Sequence, residues 1–182
     1  MRIVSGAARG RKLAAPSGMD IRPTTDKVKE ALFSIIQFEL YGKTVLDLFA
    51  GTGQLGLEAL SRGARFAYFT DSSKQAVRLI QKNIELTGFT ENSRVQFTDA
   101  YGFLASCTET FDLVFLDPPY EKDMILRAAP LLARVLKPNA VVICESRVGE
   151  QLPPTIGRLA VAKEYVYSQI KLTVYREPRP EE

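Results

Sequence analysis

The 182-residue sequence predicts an α/β fold built on a mostly parallel, doubly wound sheet, and three observations predict it. Short apolar runs alternate with amphipathic helical stretches between residues 26 and 145, the rhythm of parallel strands joined by helical crossovers. The first of these runs leads into a glycine-rich turn that opens a helix. Four runs in succession carry an aspartate at or near their carboxyl end: Asp47, Asp71, Asp99 and Asp117.

Residues 26–37 place Val28, Ala31, Leu32, Ile35 and Ile36 on one apolar helix face, with Thr25 as N-cap. Residues 44–49 (TVLDLF) read as a buried strand, and residues 54–62 as the helix after the glycine turn. Residues 65–70 (RFAYFT) form a second strand, and 73–86 a helix that turns Val77, Ile80 and Ile84 inward. Strands follow at 94–98 and 111–116, then a helix at 123–135 stopped before Pro138, then a fifth strand at 139–145. After Pro153-Pro154 the rhythm changes to two strands, 159–164 and 169–176. With no helix between them, they predict an antiparallel edge.

With 46% hydrophobic and 25% charged residues, the chain has the composition and length of one globular domain. It contains no histidine, which removes Ser-His-Asp hydrolysis, Cys-His proteolysis and the common zinc sites. Cys107 and Cys144 fit neither a metal-ligand spacing nor a disulfide framework and read as free thiols of a reducing compartment. No signal core opens the sequence and no apolar run would cross a bilayer, so a soluble, cytoplasmic, metal-free protein is expected. Charge is uneven. Residues 1–29 hold seven basic residues against Asp20 and Asp26, a net +5, which leaves −2 on the rest. Positive charge gathered in one segment suits a phosphate backbone; a solvated basic tail is the plainer alternative. Gly6, Gly10 and Gly18 with Pro16 mark turns between short strands, hence a hairpin.

The turn Asp47-Leu-Phe-Ala-Gly51-Thr-Gly53-Gln-Leu-Gly56 holds G-x-G-x-x-G between a strand and a helix, a pattern that lets the backbone approach a ligand closely. Asp71, 20 residues past Gly51, is placed to accept the hydroxyls of a ribose. Both NAD and S-adenosylmethionine fit these features. Asp47 separates them, because a carboxylate there repels a pyrophosphate and suits a ligand carrying an ammonium and a sulfonium. Asp99 is placed to accept from an adenine amino group, or to cap a helix starting near Ala100.

Asp117-Pro118-Pro119-Tyr120 is the most informative tetrapeptide. Two prolines freeze the turn after a strand and leave the Pro118 carbonyl without a helical partner. A carboxylate beside a fixed carbonyl makes a pair of acceptors for one exocyclic NH2, aiming its lone pair at a methyl group. Tyr120 offers a face on which a flipped base can stack. No histidine is needed, since Asp117 stabilises the charge that nitrogen develops.

These residues resemble a class I S-adenosylmethionine-dependent amino methyltransferase. The flanks, Arg2-Ile-Val-Ser-Gly6, Arg9-Gly-Arg11-Lys-Leu13 and Arg22-Pro-Thr-Thr-Asp-Lys-Val-Lys-Glu-Ala-Leu-Phe33, together with residues 47–63, resemble the RsmD family. The similarity runs from Arg2 to about Tyr175. It implies a Rossmann-like methyltransferase fold with a seven-stranded, mostly parallel sheet and an antiparallel last strand. It also implies a basic, RNA-facing hairpin at 1–25 ahead of a methyltransferase domain at 26–182. The implied activity is methylation of N2 of one guanine of 16S ribosomal RNA, in the small ribosomal subunit or its assembly intermediate; one compact domain with no obvious sticky edge makes a monomer the expectation. An adenine-N6 or cytosine-N4 methyltransferase of DNA or another RNA is the alternative. The resemblance assigns Asp47, Phe49, Gly51, Gly53, Asp71, Ser72, Asp99 and Ala100 to S-adenosyl-L-methionine, with Asp71 in place of a frequent glutamate. It assigns Asp117, Pro118, Pro119 and Tyr120 to the target base, and Arg9, Arg11, Lys12 and Arg22 to RNA.

Overall fold

The structure, a computed structural model, describes residues 1–16, 26–119 and 123–178. Helix α1 (Asp26–Ile35) buries Val28, Leu32 and Phe33 along its apolar stripe, and Lys29 with them. The last two positions expected in this helix form a turn, and Thr25 lies outside the described residues. Strands β1 (Thr44–Asp47), β2 (Phe66–Asp71), β3 (Ser93–Phe97), β4 (Phe111–Leu116) and β5 (Leu136–Arg147) run parallel. Helices α2 (Gln54–Ser61), α3 (Lys74–Thr87), α4 (Ala100–Ser106) and α5 (Met124–Leu132) connect them.

Three further strands, β6 (Thr155–Ile156), β7 (Leu159–Tyr167) and β8 (Ile170–Arg176), complete one sheet in the order β3-β2-β1-β4-β5-β8-β7-β6. The last strand, β8, is antiparallel to both of its neighbours, as expected. Among the described residues the sheet carries one strand more than the seven expected, because two residues of β6 pair with β7. A two-residue strand leaves no periodicity to read. Side chains alternate across the sheet with period two. Val45, Leu113, Phe115 and Ile143 face a core shared with α1, α2 and α3, while Leu46, Val114, Leu116 and Cys144 face a second core under α4 and α5.

The amino-terminal segment is a hairpin. Ile3 N–H donates to the Arg11 carbonyl at 2.9 Å, Gly10 N–H to the Ile3 carbonyl at 2.9 Å, and Arg2 bridges to Lys12. It is docked on the domain: Ile3, Ala8 and Leu13 belong to the first core. Gly6 has φ +84°, and a Cβ on it would stand 1.8 Å from the Ser61 carbonyl oxygen, so only glycine allows the turn to sit there. Covered by the hairpin above and the sheet below, all eight residues of α2 are buried.

One carboxylate joins the three layers. Glu58 of α2 accepts the N–H groups of Val4 (2.8 Å) and Ser5 (2.9 Å), and its fully buried side chain pairs with Arg62 (2.9 Å) and Lys29 (3.6 Å). Burial pushes the Lys29 ammonium below its ordinary range, against the pull of Glu58 and Asp26.

Candidate active site

The strand order reverses between β1 and β4, and a cavity of about 740 Å³ opens there over the carboxyl ends of the strands. That crevice is where open α/β sheets hold ligands, and its volume suits a small molecule. Asp47, Phe49, Gly51, Asp71, Ser72, Asp99, Ala100, Asp117, Pro118 and Pro119 all line it.

Asp47 closes β1 with a buried side chain whose Oδ2 accepts the Gly56 N–H at 3.0 Å. Burial raises its carboxyl to about 7; the Gly56 N–H opposes the rise and the Asp71 charge adds to it. A turn-bracing role and a wall facing the ligand thus coexist in one side chain. Asp71 ties two loops together, accepting the Gly51 N–H on Oδ2 (2.9 Å) and the Ser73 N–H on Oδ1 (2.8 Å). Each carboxylate oxygen has a further lone pair for a hydroxyl donor. Asp99 caps α4, its Oδ1 accepting the N–H groups of Tyr101 (3.0 Å) and Gly102 (2.9 Å).

The three glycines of the turn divide their work. Gly51 lines the cavity with φ +56°. Gly53, also expected at the cofactor, is not among the residues that line it. It is the left-handed N-cap of α2, φ +77°, and its Cβ direction meets Ile80 at 3.3 Å. Gly56 faces the sheet, where a Cβ would stand 2.2 Å from Phe69 Cε1, so it sets the close approach of α2 to β2.

Asp117 follows β4 directly, half-buried, with buried Pro118 beyond it. Tyr120 and Arg22 lie outside the described residues. Arg9, Arg11 and Lys12 are exposed on the hairpin, and Arg11 Nη1 donates at 2.8 Å to the Leu86 carbonyl near the end of α3.

Sequence reasoning missed several lining residues. Met1 and Pro16 reach the cavity from the hairpin segment, with the Thr52 hydroxyl donating to Met1 Sδ at 3.2 Å. Thr98, Tyr101 and Glu145 line it as well. It also missed Lys74, Arg78 and Lys82, exposed at successive turns of α3; their spacing of four was the signal that would have found them.

The family model described as Conserved hypothetical protein 95 matches residues 1–176. Ribosomal RNA small subunit methyltransferase D of Escherichia coli K12 is 35% identical over 178 residues, covering 97% of this chain and 89% of that protein. The chain belongs to the RsmD family of small subunit rRNA methyltransferases. The RsmD protein of Haemophilus influenzae is 37% identical over 157 residues, 84% of this chain and 81% of its own length. Among solved structures, yhhF of Escherichia coli superposes with a TM-score of 0.87 at 36% identity, covering 98% of this chain and 99% of its own. The RsmD fold of this chain is therefore the Rossmann-like fold of its methyltransferase relatives. Among its described residues, no helix is long and apolar enough to cross a membrane.

Proposed function

We propose that the chain transfers a methyl group from S-adenosyl-L-methionine to the exocyclic N2 amino group of one guanine of 16S rRNA, within assembled small-subunit particles. The observation that carries this reading is that one cavity holds both the Asp47, Asp71 and Asp99 carboxylates and the Asp117-Pro118-Pro119 turn.

The donor set fits the cofactor. Asp47 is buried, and burial with the nearby Asp71 charge raises its carboxyl to about 7, so an ammonium is the group it favours most. Asp71 would hold the ribose and Asp99 the adenine amino group, while Phe49, Gly51, Ser72 and Ala100 form walls close to the backbone. When bound, S-adenosylmethionine supplies an electrophilic methyl group.

The chain's own residues orient the acceptor. The Asp117 carboxylate and the Pro118 carbonyl accept the two N2 hydrogens and leave the nitrogen lone pair facing the cavity. Asp117 stabilises the positive charge that the nitrogen gains, and the proton departs afterwards toward solvent. Tyr120 stacks on the base. Arg9, Arg11, Lys12 and Arg22 meet phosphates, and the α3 row of Lys74, Arg78 and Lys82 extends that basic surface.

The test supplies tritiated S-adenosylmethionine with unmodified small subunits, naked rRNA or DNA, and identifies the labelled nucleoside. Label in 2-methylguanosine from subunits is expected. Label in N6-methyladenosine, in N4-methylcytosine or in DNA overturns the guanine assignment.

A further inference from the structure

Glu145 is a buried carboxylate, 3% exposed, in the apolar run of β5, and it lines the same cavity as Asp117. Its position follows from register. Leu116 of β4 and Cys144 of β5 are Cα partners across a parallel ladder, and both side chains lie in the second core. One residue further along each strand stand Asp117 and Glu145. The ladder ends at Leu116 and Cys144, and continuing its register by one residue sets Asp117 beside Glu145, roughly 4.8 Å apart along the hydrogen-bonding direction and both on the opposite face. That face is the one on which Asp47 also projects, since Asp47 pairs with Phe115, a residue of the first core.

Two adjacent carboxylates make a wall of acceptors, and the bases differ in how they meet such a wall. Guanine presents its N2 amino hydrogens and its N1–H side by side, all donors. Adenine presents an amino group beside the N1 lone pair, and cytosine an amino group beside the N3 lone pair. One acceptor pair holds the amino group of any of the three. A second carboxylate beside it gains a hydrogen bond from guanine and meets a lone pair on the other two.

We propose that Glu145 selects guanine, its carboxylate accepting N1–H while Asp117 and the Pro118 carbonyl hold N2. This rests on the guanine-N2 reading above and adds the residue that makes the reaction selective. A site built to accept a particular N–H rejects an analogue lacking it far more strongly than an apolar pocket rejects a change of shape.

The experiment compares guanine with 2-aminopurine at the mapped target of reconstituted small subunits. 2-Aminopurine keeps the amino group, replaces N1–H with a lone pair and lacks O6, so it is the change in preference on altering Glu145 that reports on N1. Wild-type protein is expected to favour guanine by about 100-fold or more in kcat/KM. Glu145→Gln presents an amide N–H to that lone pair, so it is expected to lose about 100-fold on guanine and to narrow the preference to within roughly tenfold, with cofactor Kd unchanged. A wild-type ratio near one, or an equal loss on both bases in the variant, overturns the proposal. If Glu145→Gln does not fold, Glu145→Asp, which keeps the charge and shortens its reach, is expected to lose at least about tenfold on guanine and no more than about twofold on 2-aminopurine, and equal losses overturn the proposal. Wild-type protein that labels no guanine but methylates another base sinks the reading beneath, a result distinct from an indifferent ratio on guanine.

Discussion

Asp47→Asn separates the two demands on the most buried acid of the site. The asparagine amide oxygen can still accept the Gly56 N–H, so the change removes charge and keeps the brace. In the folded chain burial holds the carboxyl at about 7, against an ordinary 3.8. At about 1.36 kcal/mol per pKa unit, the ionised side chain costs the folded state about 4 kcal/mol. The folded state binds this proton more tightly than the unfolded chain does. The penalty is therefore absent below the unfolded value, grows as pH rises through the interval, and is complete above about 7. In urea unfolding, Asp47→Asn is expected to exceed wild type by about 2–4 kcal/mol near pH 8, the gap closing toward pH 4. Cofactor binding should move the other way. Wild-type affinity should rise about tenfold per pH unit up to about pH 7 and then level, because binding draws on the ionised form. The variant should bind about 100-fold more weakly near pH 8, with a flat profile. Calorimetry in buffers of different ionisation enthalpy counts the linked proton. A variant less stable than wild type near pH 8, with cofactor affinity intact, refutes the reasoning.

Asp117→Ala should lower kcat on small subunits by roughly 10²–10³-fold while cofactor Kd, measured by calorimetry, stays within about twofold. Glu58→Gln removes the counter-charge of buried Lys29 and weakens the anchor of Val4 and Ser5. It should cost about 3–5 kcal/mol in urea unfolding, and early loss of amide-exchange protection at Val4 and Ser5 would locate the damage. Arg9→Ala should reduce the salt slope of rRNA binding by about one. Arg11→Ala should do the same and also lower Tm by a few degrees, since it uncaps the Leu86 carbonyl.

What could be read in the sequence is what local chemistry dictates. A glycine turn between an apolar run and an amphipathic run has few structural solutions, and aspartates that end successive parallel strands meet at one edge. Asp99 was legible both as a ligand acceptor and as a cap, and it caps α4 from the cavity wall. What stayed hidden depends on register or on layers. Glu145 sits inside Asn-Ala-Val-Val-Ile-Cys-Glu, an ordinary buried strand until β4 is laid beside it. Glu58 and Arg62, four apart, look like a solvated surface pair, and the hairpin together with Lys29 and Phe33 of α1 is what buries Glu58 and half-buries Arg62. Gly51 and Gly53 share the G-x-G motif, and only the structure shows that one lines the cavity while the Cβ direction of the other meets Ile80.

The sheet order also governs how the chain can be assembled. Strand β8 fills the slot between β5 and β7, and β6 hangs on β7 alone. Residues 155–167 therefore have no berth on the growing sheet until residues 170–176 emerge from synthesis. Until then the outer edge of β5 stands open along Val142 to Arg147, the stretch that later pairs with β8. Such an unpaired edge invites strands from other chains. A product halted before Ile170 would carry every strand-end aspartate of the cavity and still expose that edge, so the closing strand works as a final seal against self-association.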